Sequence, residues 1–153
     1  MQSSPERQVN QESEESPGHM VSKLIDSMEI DHLLNYGNGG GVELAAALTP
    51  ERDFRYQVFD ANVPELAGDP IPAEMVVCID SLSQIAPFQV DTVLDKLEKL
   101  TEQVLFLTID TERMSLEWWL PRIMERFAIQ LLQVTGPNRS CIVAYRPDWF
   151  YAH

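Results

Sequence analysis

The chain has 153 residues, 44% hydrophobic and 23% charged, which is enough for one buried core and too little for two ordinary domains. Its 24 acidic side chains outnumber 11 basic ones, and the formal charge of −13 repels polyanions, which argues against nucleic acid or an anionic membrane as a direct partner. No apolar run reaches the ~18–20 residues of a membrane span. The opening residues MQSSPERQVNQESEESPGHM lack the apolar stretch of a secretory signal, so a cytoplasmic protein without membrane insertion is expected.

Residues 1–18 are Ser, Glu, Gln and Pro with little to bury, and they read as a disordered acidic tail ahead of one domain over 19–153. Val21, Leu24, Ile25 and Met28 recur at the spacing of a short amphipathic helix. His32-Leu33-Leu34 opens a strand that runs into the glycine-rich NYGNGGG, and Val42–Leu48 favours a helix that stops at Thr49-Pro50. Tyr56–Phe59 and Met75–Ile79 are strand candidates ending at Asp60 and Asp80; between them only Leu66–Ile71 offers material for another, and its pattern is faint. Pro87 opens a helix in which Val90, Val93, Leu94 and Leu97 share a face, and Val104–Ile109 is a buried strand ending at Asp110. Leu116–Phe127, rich in Trp and Met, reads as helical, with Pro121 starting or kinking it. Ala128–Val134 and Cys141–Tyr145 are β-rich runs split by a hairpin-sized turn over 135–139.

Strands alternating with helices predict a parallel sheet covered on both faces, with the final hairpin adding an antiparallel edge. The expected fold is a three-layer α/β/α sandwich. Cys78 and Cys141 lie inside apolar runs and are too few for a disulfide framework or a metal site, so both read as reduced core residues and no metal is expected.

In open α/β sheets ligands bind beyond the carboxyl ends of the strands. Here each predicted parallel strand ends its apolar run in a polar residue: Asn35, Asp60, Asp80 and Asp110. Carboxylates along one edge suit a ligand carrying positive charge, although an Asp at a strand end also caps the next turn. The loop from Gly37 to Gly41 lets backbone approach a ligand without a Cβ in the way. It does not match the dinucleotide pattern G-x-G-x-x-G, because Val42 and Leu44 stand where glycines would be needed. Asp60 lies 19 residues beyond Gly41, where an acid can grip a ribose diol. Strand, glycine-rich loop, helix, strand and acid, in that order, point to an adenosine ligand.

With these segments the chain resembles class I S-adenosylmethionine-dependent methyltransferases, and small bacterial domains of that kind in particular. LLNYGNGGG is similar to the first glycine motif and YQVFDANVPEL to the acidic end of the second strand. PAEMVVCIDSLSQIAP is similar to the fourth strand with the segment after it, and EQVLFLTID to the fifth. The closing hairpin matches the sixth and seventh, so the resemblance spans about residues 20–146. It implies a Rossmann-like methyltransferase fold that binds S-adenosylmethionine through Asn35, Gly37, Gly39, Gly41, Asp60 and Asp80. Gly37, Gly39 and Gly41 would line the cofactor, Asp60 would hold the ribose, and Asp80 would lie near the methionine portion. The implied activity is methyl transfer to a small-molecule acceptor.

The chain also departs from the family pattern. Asn35 replaces the usual acid, Leu82-Ser83-Gln84 stands where Leu-Glu-His is common, and the connection from Thr111 to Met114 is short. These departures motivate a second expectation: a methyltransferase-like pseudoenzyme that binds a protein partner or senses the cofactor without transferring methyl. For an active enzyme, positioning of donor and acceptor carries much of the rate and a base assists an amine or hydroxyl acceptor. His19, His32 and His153 lie away from the rim, which leaves Asp80 as the candidate catalytic base, with Asp110 and Tyr36 as the other titratable groups there. Trp118-Trp119 reads as core at helical spacing, and Cys78, with no histidine partner, reads as inert. The aromatic C-terminus is free to dock on another subunit or to fold back on its own sheet. A homo-oligomer is also expected as an option, because so small a sheet can leave an edge uncovered.

Overall fold

The computed structural model describes residues 16–37 and 41–152. The first helix, α1 (Pro17–Ser27), starts two residues inside the stretch read as tail. Ser16 accepts a hydrogen bond from the His19 amide at 3.1 Å, and Pro17 occupies the first turn, where its missing N–H costs nothing. The predicted tail up to residue 15 lies outside the described residues.

The remaining elements come in the expected order: β1 (His32–Gly37), α2 (Gly41–Ala47), β2 (Arg55–Asp60), β3 (Ala73–Ile79), α3 (Pro87–Leu100), β4 (Thr101–Asp110), α4 (Leu116–Met124), β5 (Ala128–Gly136) and β6 (Arg139–Tyr145); a further helix, α5 (Pro147–Ala152), follows the last strand. Six strands form one sheet in the order β2-β1-β3-β4-β6-β5. The pairs β1–β2, β1–β3 and β3–β4 are parallel, and β4–β6 and β6–β5 are antiparallel. The chain leaves β1 towards β2 and then returns past β1 to lay down β3. Strand order therefore reverses between β1 and β3, and this switch point is where such sheets open a crevice.

The pleat sends alternate side chains to opposite faces. Leu33, Met75, Val77 and Phe106 pack with Val21 and Ile25 of α1 and Leu44 of α2. Leu34, Val76, Leu105 and Leu107 pack with Leu94 of α3 and Trp119 of α4 on the other side. These side chains are almost wholly buried, a Val, Leu, Ile, Met or Phe among them contributing about 1.5–3 kcal/mol of transfer free energy.

The faint stretch Leu66–Ile71 forms no strand: residues 61–72 hold a single 3-10 turn at Pro64–Leu66. Instead the Gln57 side chain, on the edge strand β2, bonds the Ile71 backbone in both directions, donating to its carbonyl at 3.1 Å and accepting from its amide at 3.0 Å. One side-chain amide thus takes the place of a neighbouring strand.

Helix α4 runs through Pro121 and stops at Met124, three residues short of the expected end. Arg122 and Arg126 guanidinium groups donate to the carbonyls of Trp118 and Arg122, both at 2.8 Å. The C-terminus folds back on its own sheet. The Arg146 amide donates to the Gln103 carbonyl at 2.9 Å, its guanidinium reaches the carbonyls of Glu98 and Thr101, and the Trp149 ring lies 5.4 Å from that of Tyr145. Among the described residues no helix is long and apolar enough to cross a membrane, and no cluster of His, Cys, Asp and Glu could hold a metal ion.

Candidate functional site

Among the described residues, a 3-10 turn, Leu82–Gln84, separates two clefts at the carboxyl ends of β1 to β4. Ser81 and Leu82 face one side of the turn, and Ser83 and Gln84 face the other.

The first cleft, of about 510 Å³, is bounded by the ends of β1 and β2, the residues after β3 and the outer side of α3. Tyr36 and Phe59 are paired in the β1–β2 register, and their rings stack at 4.8 Å between centroids. Ile85 and the 84%-exposed Phe88 add apolar surface, and Lys96 lies farther along α3. The cleft's apolar and aromatic walls suit a flat heterocycle. Burial raises the Tyr36 phenol above its ordinary value, with Cys78 nearby adding to the shift, so the phenol stays protonated. Burial also pushes the Cys78 thiol up to about 12, which leaves it an inert wall, as its place in an apolar run led us to expect.

Gly37 and Asp60 are register partners, and both end their strands. Gly37 lines the cleft; Asp60 is buried just outside it, between the lining residues Phe59 and Ala61. Its Oδ1 accepts from the Asn62 amide at 2.9 Å, an Asx turn that fixes the carboxylate beside the cleft. Asn35 is a different case. It is buried; its side-chain amide donates to the Tyr56 hydroxyl at 3.0 Å, a tie between β1 and β2, while its Oδ1 lies 3.6 Å from where a Cβ on Gly37 would stand. Gly41 is the first residue of α2, and Gly39 lies outside the described residues.

The second cleft, of about 500 Å³, is polar and lies beyond β3, β4 and the β5–β6 turn. Asp80 lines it, so the structure separates Asp80 from Gly37 and the aromatic wall. Asp80 has φ of 58°, in the left-handed region that side chains seldom occupy. It is held there by its amide, which donates to the Thr108 carbonyl and hydroxyl at 3.1 and 2.9 Å, and by its carboxylate, which takes the Thr108 hydroxyl at 3.0 Å and Arg139 at 2.5 Å. Asp110 is exposed across the cleft, with its amide on the Ser83 hydroxyl and its Oδ1 on the Glu112 amide.

Arg139, Thr108 and the Tyr36–Phe59 stack are site features that sequence reasoning alone missed. The stack carried a usable signal, since each ring is the last apolar residue of its strand. Arg139 carried none: only the fold brings the hairpin over the end of β3.

No protein-family model matches the chain, and no curated protein matches it in sequence. Solved structures do match. Magnesium protoporphyrin IX methyltransferase of Synechocystis PCC 6803, with bound S-adenosylmethionine, is similar over 90% of this chain and 81% of its own, at 16% identity and a TM-score of 0.62. The 1,6-didemethyltoxoflavin-N1-methyltransferase of Burkholderia thailandensis covers the same shares at 11% identity and 0.64. The methyltransferase domain of bacterial CtHen1-C is similar over 88% of this chain and 98% of its own, at 11% identity and 0.67. The fold is that of the class I S-adenosylmethionine-dependent methyltransferases.

Proposed function

We propose that the chain binds S-adenosylmethionine at the β1–β2 rim and transfers its methyl group to a small-molecule acceptor. The observation that carries this reading is Gly37 standing opposite Asp60 beside an aromatic cleft at the switch point of a methyltransferase-like sheet. The residues present fit the ligand. Gly37 leaves space for close backbone approach, the Tyr36–Phe59 wall and Ile85 offer a flat apolar surface for a purine, and Asp60 is fixed next to them as an acceptor for a ribose diol. Neighbours of the same fold were crystallised with S-adenosylmethionine or S-adenosylhomocysteine, and small-molecule acceptors are named for two of them.

The cofactor when bound supplies an electrophilic sulfonium methyl group. The chain's part is to hold and orient. The second cleft sets Asp80, Asp110 and Glu112 against Arg113 and Arg139, and the small acidic excess favours a cationic centre next to it. Thr108 and Arg139 fix the direction of the Asp80 carboxylate, which is the group we assign to accept a proton from the acceptor.

The test is calorimetric titration of folded, cofactor-free protein with S-adenosylmethionine and S-adenosylhomocysteine. Micromolar binding that is lost in Asp60→Ala is expected. No detectable heat with either ligand overturns the proposal.

A further inference from the structure

The two edges of the sheet are finished differently. At the β2 edge the Gln57 amide already occupies the Ile71 backbone, and Arg55 adds charge. The β5 edge has no such cover among the described residues. Its nine residues, AIQLLQVTG, contain no charged side chain in a chain of net charge −13. Leu131, Leu132 and Val134 are 42%, 38% and 65% exposed, and Met124 at the end of the adjacent α4 is 61% exposed. Edge strands of monomers are ordinarily blunted by charge or proline, because their unpaired N–H and C=O groups template another strand.

Register shows how the patch is organised. Leu132 pairs with Ile142 and Val134 with Ser140, which places both on the α3–α4 face, while Leu131 pairs with Val143 and faces α1–α2. Pairing with β6 is interrupted between Ile129 and Leu131 and again between Val134 and Gly136, so the regular ladder is confined to Leu131–Val134.

We infer that β5 is a self-association edge, where a second copy of this chain adds its own β5 antiparallel to extend the sheet. The occupant is a second copy for two reasons. The edge asks for a strand, since what it offers is backbone donors and acceptors. It is also an uncharged stretch on a surface that otherwise repels its own kind, so two copies can meet there without opposing carboxylates. A two-fold axis at Gln133 sets Leu132 of each copy opposite Val134 of the other on one face, the apolar cross-strand pairing that stabilises antiparallel ladders. So short a ladder makes a weak dimer, with dissociation in the micromolar range.

Sedimentation equilibrium of the full chain from about 10 to about 500 µM brackets that range. The expected result is a monomer–dimer equilibrium whose dissociation constant rises at least tenfold in Val134→Lys. Phe88→Lys, beside the cleft towards the β2 edge and away from β5, should match the wild type. Circular dichroism checks that each variant is folded. Independently, Gln133→Cys should form a covalent dimer under mild oxidation, since Cys78 and Cys141 are buried. A wild type that stays monomeric throughout, an unchanged constant in folded Val134→Lys, or assembly beyond the dimer would overturn the inference.

Discussion

The Asp80 carboxylate meets the Arg139 guanidinium at 2.5 Å, joining the end of β3 to the start of the last strand across the second cleft. Both side chains are partly exposed, so the ion pair itself is worth about 0–1 kcal/mol. The backbone at Asp80 matters more, because φ of 58° is disfavoured by about 1–2 kcal/mol for residues with a Cβ. Asp80→Gly should therefore unfold at higher urea than Asp80→Ala, by about 1 kcal/mol, although both lose the same contacts. Equal midpoints would mean that the side-chain bonds alone decide the site's stability.

Gly37 separates folding from binding. A Cβ placed there would meet Asn35 Oδ1 at 3.6 Å and the Phe59 carbonyl oxygen at 3.9 Å, which are ordinary contacts. Gly37→Ala should change stability by no more than about 0.5 kcal/mol. If the cofactor lies against this backbone, its affinity should fall at least tenfold by calorimetry while the unfolding curve hardly moves.

Gly18 is the opposite case. An added Cβ would stand 2.6 Å from Ala47 Cβ and 2.9 Å from the Ala47 carbonyl oxygen, so α1 and α2 would have to separate. Alanine gains about 1 kcal/mol of helix propensity over glycine, yet overpacking typically costs about 1–3 kcal/mol. Gly18→Ala should lower the thermal midpoint, and a raised midpoint would show that α1 can shift freely.

His32 is buried at the start of β1, away from the rim. Burial, then the Arg55 charge, lower its pKa below the ordinary 6.5, so the folded state prefers the neutral ring. The unfolded chain takes up the proton first as pH falls. Its contribution is therefore present above about pH 6.5 and is lost as pH drops through the depressed value. The urea midpoint should fall between about pH 7.5 and about pH 5.5, and the fall should be smaller in His32→Gln.

The four parallel strands were readable because each is an apolar run closed by a polar residue, and the parallel core of the sheet was implied by the alternation of strands with helices. The start of α1 was equally present in the sequence, as Ser16 followed by Pro17, but the acidic surroundings masked a good cap. Asn35 stands where the resemblance would place an acid beside the cofactor; its bond to the Tyr56 hydroxyl on the next strand is set by register and was not legible in the sequence. Likewise Asp60 and Asp80 look equivalent as strand-end acids. The Leu82–Gln84 turn separates their surroundings, and nothing in its composition announces a dividing wall.

The twelve residues between Asp60 and Ala73 lead the chain from β2 across β1 to β3 without an α-helix. A parallel crossover takes about a dozen residues or more, so this one is near the lower limit. It behaves as a taut tether: deleting even two residues should strain the β1–β3 pairing and the rim built on it. Lengthening is cheap by comparison, since each doubling of a flexible loop costs about 0.6 kcal/mol. The segment is thus a natural port for grafting a reporter or a recognition helix beside the aromatic cleft.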